Sequence, residues 1–270
     1  MKTVRYVRYS RPLHSGSSIF YGILEGDSIQ ELRGDIFTHA EPTGTTVNLH
    51  DVKLLAPCTP INVAAVGRNY QSHIKAMAQM TDRTIPAAEF PGLFWKPSSC
   101  IIGTEEQIVV PPGANNVHYE AEMVLVMSKK TKNVSRADAA NHIFGITAGN
   151  DVSERDWQKN DLSWFRAKGS DTFGVLGPCI VTGLNYNSLR VQSRVNGEVR
   201  QDGRTSELIF PVDVVVSYIS QFATLYPGDV IYTGTPGTTK AMQPGDVVEV
   251  EVEGVGVIRN RIQRAAAAIG

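Results

Sequence analysis

The sequence predicts a mostly β protein with some helix, of the α+β type. Short runs that alternate polar and apolar residues, or are wholly apolar, recur along the 270 residues and are rich in Val, Ile and Tyr. Turn signals separate them, since the 24 glycines and 14 prolines include Pro-Gly pairs at 112–113, 227–228, 236–237 and 244–245. Helical spacing is confined to a few segments. The length suits one large domain, or one domain with a smaller appendage.

In chain order, residues 2–8, 18–24 and 28–32 read as three strands, the last two joined by a turn at Glu25-Gly26-Asp27. They suggest a small N-terminal β domain of residues 1–55. Residues 39–48, with Pro42 and Gly44 among threonines, read as a connection, and Ala56-Pro57 opens the second unit, residues 56–270. Residues 61–67 are apolar and end in Gly67, as a buried strand does when it opens into a loop. Arg68 to His73 follow as polar and basic groups at that strand's end, ahead of a helix to about residue 80. Residues 81–91 have no period and could form a lid.

Residues 93–97 and 107–110 are short strands, the first carrying Lys96 and the second stopped by Pro111-Pro112-Gly113. The next strand begins at Val117. Ser135, with Asp138 three residues later, is a helix N-cap for residues 135–141. Residues 143–149 form an apolar strand that delivers Asn150 and Asp151 at its end. Residues 153–158 read as a capped helical turn with Arg155 and Gln158 on one face. Residues 167–174 are a polar, glycine-flanked stretch before a strand at 175–181. Asn196-Gly197 centres a hairpin of residues 190–199, where a type I′ turn needs positive φ. Pro211 starts a helix to Phe222. Strands at 230–233 and 247–252 enclose the small-residue loop Thr233-Gly234-Thr235-Pro236-Gly237, and a last strand at 256–262 leads to an alanine-rich tail.

Twenty-six basic residues against 27 acidic ones leave a net charge of −1, and no Lys/Arg block occurs. A basic nucleic-acid-binding surface is therefore not expected, and a small molecule is the expected partner. No apolar stretch reaches the length of a membrane span and the N-terminus lacks a signal-peptide core, which points to the cytoplasm. Cys58, Cys100 and Cys179 are odd in number and widely spaced, so they read as structural thiols.

Val117-His118-Tyr119-Glu120-Ala121-Glu122 carries the strongest chemical signal. In an extended chain His118, Glu120 and Glu122 share one face. Most Glu-x-Glu pairs in strands face water. Two carboxylates converging on one small volume, however, repel each other unless a hard divalent cation lies between them.

The motifs in their order resemble those of the fumarylacetoacetate hydrolase superfamily: Val66-Gly67-Arg68-Asn69-Tyr70-x-x-His73, Phe94-Trp95-Lys96-Pro97, His118-Tyr119-Glu120-Ala121-Glu122, Gly149-Asn150-Asp151, Ala167-Lys168-Gly169-Ser170-Asp171-Thr172 and Thr233-Gly234-Thr235-Pro236. The likeness spans roughly residues 56 to 262. It implies a mixed β-sandwich roll for the catalytic domain, usually a homodimer, with a small N-terminal β domain in many members. It also implies Mg²⁺ or Mn²⁺ at Glu120, Glu122 and Asp151. His73 matches the family's general base and Lys168 a cation that neutralises a carboxylate or enolate oxygen. Arg68, Arg155, Gln158 and Thr235 match substrate contacts.

The activity so implied is metal-dependent hydrolysis of a C–C bond in an acylpyruvate-like or other β-diketo acid through a metal-chelated enolate. The alternatives on the same site are decarboxylation of an oxaloacetate-like 2-oxo acid and isomerisation of a 2-hydroxydienoate. One departure bears on the choice. Decarboxylase-like members carry an acid three residues after the histidine, where this chain has Ala76, so another acid such as Glu89, a solitary His73, or a reaction that differs from both the hydrolase and the decarboxylase type has to be considered.

Overall fold

The computed structural model describes residues 2–13, 16–81 and 88–266. Among these, twelve strands join one large sheet and five another. At the heart of the large sheet Ala121–Met127 runs antiparallel to both Ile143–Asp151 and Val230–Tyr232. Val230–Tyr232 pairs in parallel with Val63–Gly67, whose other neighbour, Gly92–Lys96, is the edge strand. In the opposite direction Ile143–Asp151 pairs with Gly174–Thr182, and that strand with Val4–Leu13. The smaller sheet has the order Glu198–Arg204, Arg190–Val195, Val247–Val252, Gly256–Arg264, Ile108–Val110.

The run Ala121–Met127 is apolar because it is buried on both faces. Met123 and Leu125 join Val191, Val250 and Ile258 in the core between the two sheets, while Val124 and Val126 pack on the other side with Ala65, Ile180 and Tyr232. Fully burying each such side chain contributes about 1.5–3 kcal/mol. The central strand therefore cannot slip by one residue without exchanging both cores.

Most expected elements are present, with corrections at residues 39–48 and 165–169. Residues 39–48 are not a connection: His39–Asn48 is a strand paired with Ser28–Asp35, through a register shift between Gln30 and Leu32 that accommodates Pro42. It lies at the end of the sheet, where a proline costs no ladder bond. The stretch from 167 is not all loop either, since Phe165–Gly169 is a short helix with Lys168 in its last turn. Ser135 caps Arg136–His142 as a 3-10 turn, its hydroxyl accepting from Asp138 N at 3.2 Å. Asn196 and Gly197 take the positive φ of the hairpin turn, 53° and 80°. The lid expected within 81–91 falls largely on residues 82–87, outside the described residues, as does the end of the alanine-rich tail. No described helix is long and apolar enough to cross a membrane.

Candidate active site

The pairing of Ala121–Met127 with Ile143–Asp151 builds the site. Its register sets Glu122 opposite Gly149 and Ala121 opposite Asn150, and Asp151 N donates to Glu120 O at 3.0 Å. Three carboxylates are thus gathered at one end of the sheet. The strand expected to run unbroken from 117 is in fact interrupted. Val117–His118 pairs with Ser153–Glu154, and the chain turns through Tyr119 and Glu120 before the main strand resumes. Side chains hold the break: Asn150 Oδ1 accepts from Glu120 N at 2.9 Å, and Gln201 Oε1 from Ala121 N at 3.0 Å. His118, Glu120 and Glu122 nonetheless line one cavity of about 540 Å³.

Oxygens of Glu120, Glu122 and Asp151 lie within 4.8 Å of one another, and all three residues are buried. Cations surround two of them. Lys168 Nζ bridges Asp151 at 2.6 Å and Glu120 at 2.8 Å, Lys96 Nζ meets Asp151 at 2.7 Å, and Arg155 Nη2 meets Glu120 at 2.6 Å. Lys96 also donates to Lys168 O, and Lys168 Nζ stands 5.0 Å from the centre of the Phe94 ring. Burial alone would raise the Glu120 pKa, but Lys168 and Arg155 outweigh it and hold the group well below the usual carboxylate range. For Lys168 burial works against the charge, yet Asp151 and Glu120 raise its pKa overall.

Glu122 differs. Among the described residues it has no cation within ion-pair distance, and one backbone donor, Gly234 N at 2.6 Å. Burial, with Asp151 and Glu120 as like charges, pushes its pKa well above the ordinary value. Gly234 reaches it in a backbone conformation with φ of 107°, packed so closely on Asn69 that a Cβ would stand 2.7 Å from Asn69 Cβ. Three hard oxygen donors, without thiolate or imidazole, and one of them lacking a counter-charge, fit Mg²⁺ or Mn²⁺.

His73, in the first turn of Gln71–Thr81, is buried and lines the same cavity. Its Nδ1 lies 2.7 Å from Gly237 O. A carbonyl can only accept, so Nδ1 carries the proton and Nε2 the lone pair. Burial keeps the ring's pKa below the ordinary histidine value, with Glu120 pulling the other way. Ala76 lines the cavity near it and Glu89 is exposed, so among the described residues the partner given to His73 is a backbone carbonyl.

Arg155 and Gln158 share a helix face as expected, Arg155 Nη1 donating to Gln158 Oε1 at 2.8 Å. Arg155 Nη2 also donates to Thr239 Oγ1 at 2.9 Å, on which His118 Nδ1 converges at 2.9 Å. Thr235 lines the cavity, but its hydroxyl donates to Ala121 O at 2.9 Å and accepts from Gln201 Nε2 at 2.7 Å. Arg68 lies exposed at the cavity with φ of 60°. All nine residues singled out from the sequence therefore belong to the cavity wall or to the carboxylate cluster behind it. Lys96, Asn150, Gln201 and Gly237 were not among them. Lys96 had a signal, the charge in Phe94-Trp95-Lys96-Pro97, whereas Gln201 comes from a distant strand with no local mark.

Comparison with known proteins agrees with this geometry. Residues 62–263 match the family described as fumarylacetoacetate (FAA) hydrolase C-terminal, and residues 1–57 that described as Rv2993c-like, N-terminal. Protein Rv2993c of Mycobacterium tuberculosis is 43% identical over 82% of this chain and 83% of its own. The human mitochondrial oxaloacetate tautomerase FAHD2A is 40% identical over 78% of this chain and 70% of its own. The crystal structure of 2-hydroxyhepta-2,4-diene-1,7-dioate isomerase from Mycobacterium marinum superposes with a TM-score of 0.87 at 37% identity, covering 97% of this chain and 99% of that one. The 5-carboxymethyl-2-hydroxymuconate delta-isomerase of Mycobacterium smegmatis does so with a TM-score of 0.87 at 40% identity, over 97% and 100%. With the carboxylate cluster, the fold around it and these matches in agreement, the chain belongs to the fumarylacetoacetate hydrolase family.

Proposed function

We propose that the protein is a divalent-metal-dependent isomerase that relocates a proton within a small 2-oxo acid or 2-hydroxydienoate. The observation that carries this reading is the partner of His73, a neutral carbonyl at 2.7 Å, with Ala76 where an acid would stand. A carboxylate partner stabilises imidazolium and strengthens the base. Among the described residues no carboxylate hydrogen-bonds His73, and its Nε2 suits taking a proton from the carbon beside a carbonyl and returning it, to oxygen or to a carbon farther along, in the same turnover. The balance is closed, since the proton lost at one atom is gained at another and no water is consumed.

Mg²⁺ or Mn²⁺, held by Glu120, Glu122 and Asp151, would polarise the substrate carbonyl as a Lewis acid. Lys168 is placed to face negative charge developing on substrate oxygen, its own charge secured by Asp151 and Glu120. Arg155, Gln158 and Arg68 would bind the substrate carboxylate. Thr235 would join them by turning its hydroxyl away from Ala121 O. The names of the relatives support the same class, two isomerases and a tautomerase. They favour the isomerase alternative over hydrolysis of an acylpyruvate as the main activity. The proposal includes a cytoplasmic homodimer, for which Leu93 and Trp95, exposed on the edge strand Gly92–Lys96, offer apolar surface.

The test is a metal-supplemented screen, with and without EDTA. It follows ketonisation of enol-oxaloacetate, isomerisation of 2-hydroxydienoates, release of CO₂ from oxaloacetate and cleavage of acylpyruvates. Chelator-sensitive tautomerisation or isomerisation is expected, and acylpyruvate cleavage without either would overturn the reading.

A further inference from the structure

Gln201 lies buried on Glu198–Arg204, in the smaller sheet, and does not line the cavity. Its amide uses its whole hydrogen-bonding capacity. Oε1 accepts from Ala121 N and from Ser193 Oγ, each at 3.0 Å, while Nε2 donates to Thr235 Oγ1 at 2.7 Å and Pro236 O at 2.6 Å. The orientation is fixed by its partners, because Ala121 N–H only donates and Pro236 O only accepts. A flipped amide would set donor against donor and acceptor against acceptor.

The two ends that Gln201 joins are the two halves of the site. Ala121 stands between Glu120 and Glu122. Thr235 and Pro236 lead directly into Gly237, whose carbonyl receives the His73 Nδ1 proton. Gly237 is clasped from the opposite side as well, its N–H donating to Ser72 Oγ at 3.1 Å. Its φ of 61°, in the left-handed region, turns the peptide so that both bonds form beside the start of one helix.

We propose that Gln201 is a positioning residue: it ties the 235–237 segment to the carboxylate strand and, together with Ser72, fixes His73 as the Nδ1–H tautomer with the lone pair on Nε2. The role rests on the proton-relay reading of His73, and its first readout does not depend on turnover. Gln201→Glu keeps the size and the Oε1 acceptor but removes both donors. Ser72→Ala, at an exposed residue, removes the other clasp.

Both variants and the parent are prepared with isotope-labelled histidine and loaded with Mg²⁺, and nitrogen–proton spectra at neutral pH report the His73 tautomer, assigned through His73→Asn. A single Nδ1–H tautomer is expected in the parent and a mixture in Gln201→Glu, with a smaller shift the same way in Ser72→Ala. On the substrate found in the screen, kcat of Gln201→Glu is expected to fall by about tenfold or more while KM stays within about twofold. A folded Gln201→Glu that keeps the parent's single tautomer overturns the assignment, and so does one whose kcat stays within about twofold of the parent. If Gln201→Glu does not fold, Ser72→Ala decides by the same spectra, an unshifted tautomer overturning the clasp. A parent that turns over nothing in the screen refutes the isomerase reading alone, and the spectra still decide the role of Gln201.

Discussion

Two buried carboxylates lie at opposite ends of Val230–Tyr232, and their surroundings could hardly differ more. Asp229, before the strand, accepts from Ile61 N at 3.0 Å and Asn62 N at 2.8 Å through one oxygen. Through the other it accepts from Asn62 Nδ2 and Tyr226 N, both at 2.8 Å. Glu122 meets the chain beyond the strand's other end and has one N–H donor and two carboxylate neighbours. Burial is nearly the same, 0% and 2% exposed, so burial does not separate them. The supply of donors does. A carboxylate saturated with N–H groups is a brace for a turn, whereas one left short of positive partners is poised to take a cation.

The contrast is broken most severely at the charged centre. Glu122→Gln and Lys168→Met are each expected to lower kcat/KM by about a hundredfold or more, and calorimetry should show Mg²⁺ binding lost in the first. Asp229→Ala, by contrast, should leave Mg²⁺ affinity within about twofold of the parent while lowering stability by about 3 kcal/mol, read from urea unfolding, because four donors lose their acceptor. A subtler outcome sharpens the comparison. In metal-free protein Glu122→Gln is expected to raise stability by about 1 kcal/mol, because burial beside Asp151 and Glu120 makes ionising Glu122 costly and Gln is neutral, and the Mg²⁺-dependent rise in Tm of the parent should vanish.

The smallest effect concerns His118, whose pKa burial and then Arg155 push down to about 4, against 6.5 for a free side chain. The unfolded chain takes up that proton as pH falls below about 6.5 and the folded chain does not, so stability is lost between there and about 4. Urea midpoints of His118→Gln should fall less steeply over that range than those of the parent.

The sequence was most legible where one strand's chemistry is local. Glu120 and Glu122 are two residues apart, Arg155 and Gln158 three, and each pair meets as its spacing requires. His39–Asn48 looks like a connection in sequence because Pro and Gly, which mark turns elsewhere, are tolerated on an edge strand, and edge position is a property of the finished sheet. The break at Tyr119–Glu120 was hidden for a related reason: Asn150 and Gln201 displace ladder bonds there, and neither is near in sequence. The same holds for the partner of His73. No side-chain motif announces a backbone carbonyl, so Ala76 could mark the missing acid without naming Gly237 in its place.

The order in which the charges are gathered follows from the strand pairing. Ala121–Met127 and Ile143–Asp151 are neighbours along the chain, and their pairing alone brings the three carboxylates together. Lys96 arrives on the edge strand Gly92–Lys96, supported along one side, and Lys168 on a five-residue helix. Local pairings form ahead of long-range ones as a rule. Lys168, 17 residues from Asp151, is nearer to it along the chain than Glu120 is, whereas Lys96, 55 residues away, has the longer loop to close of the two lysines.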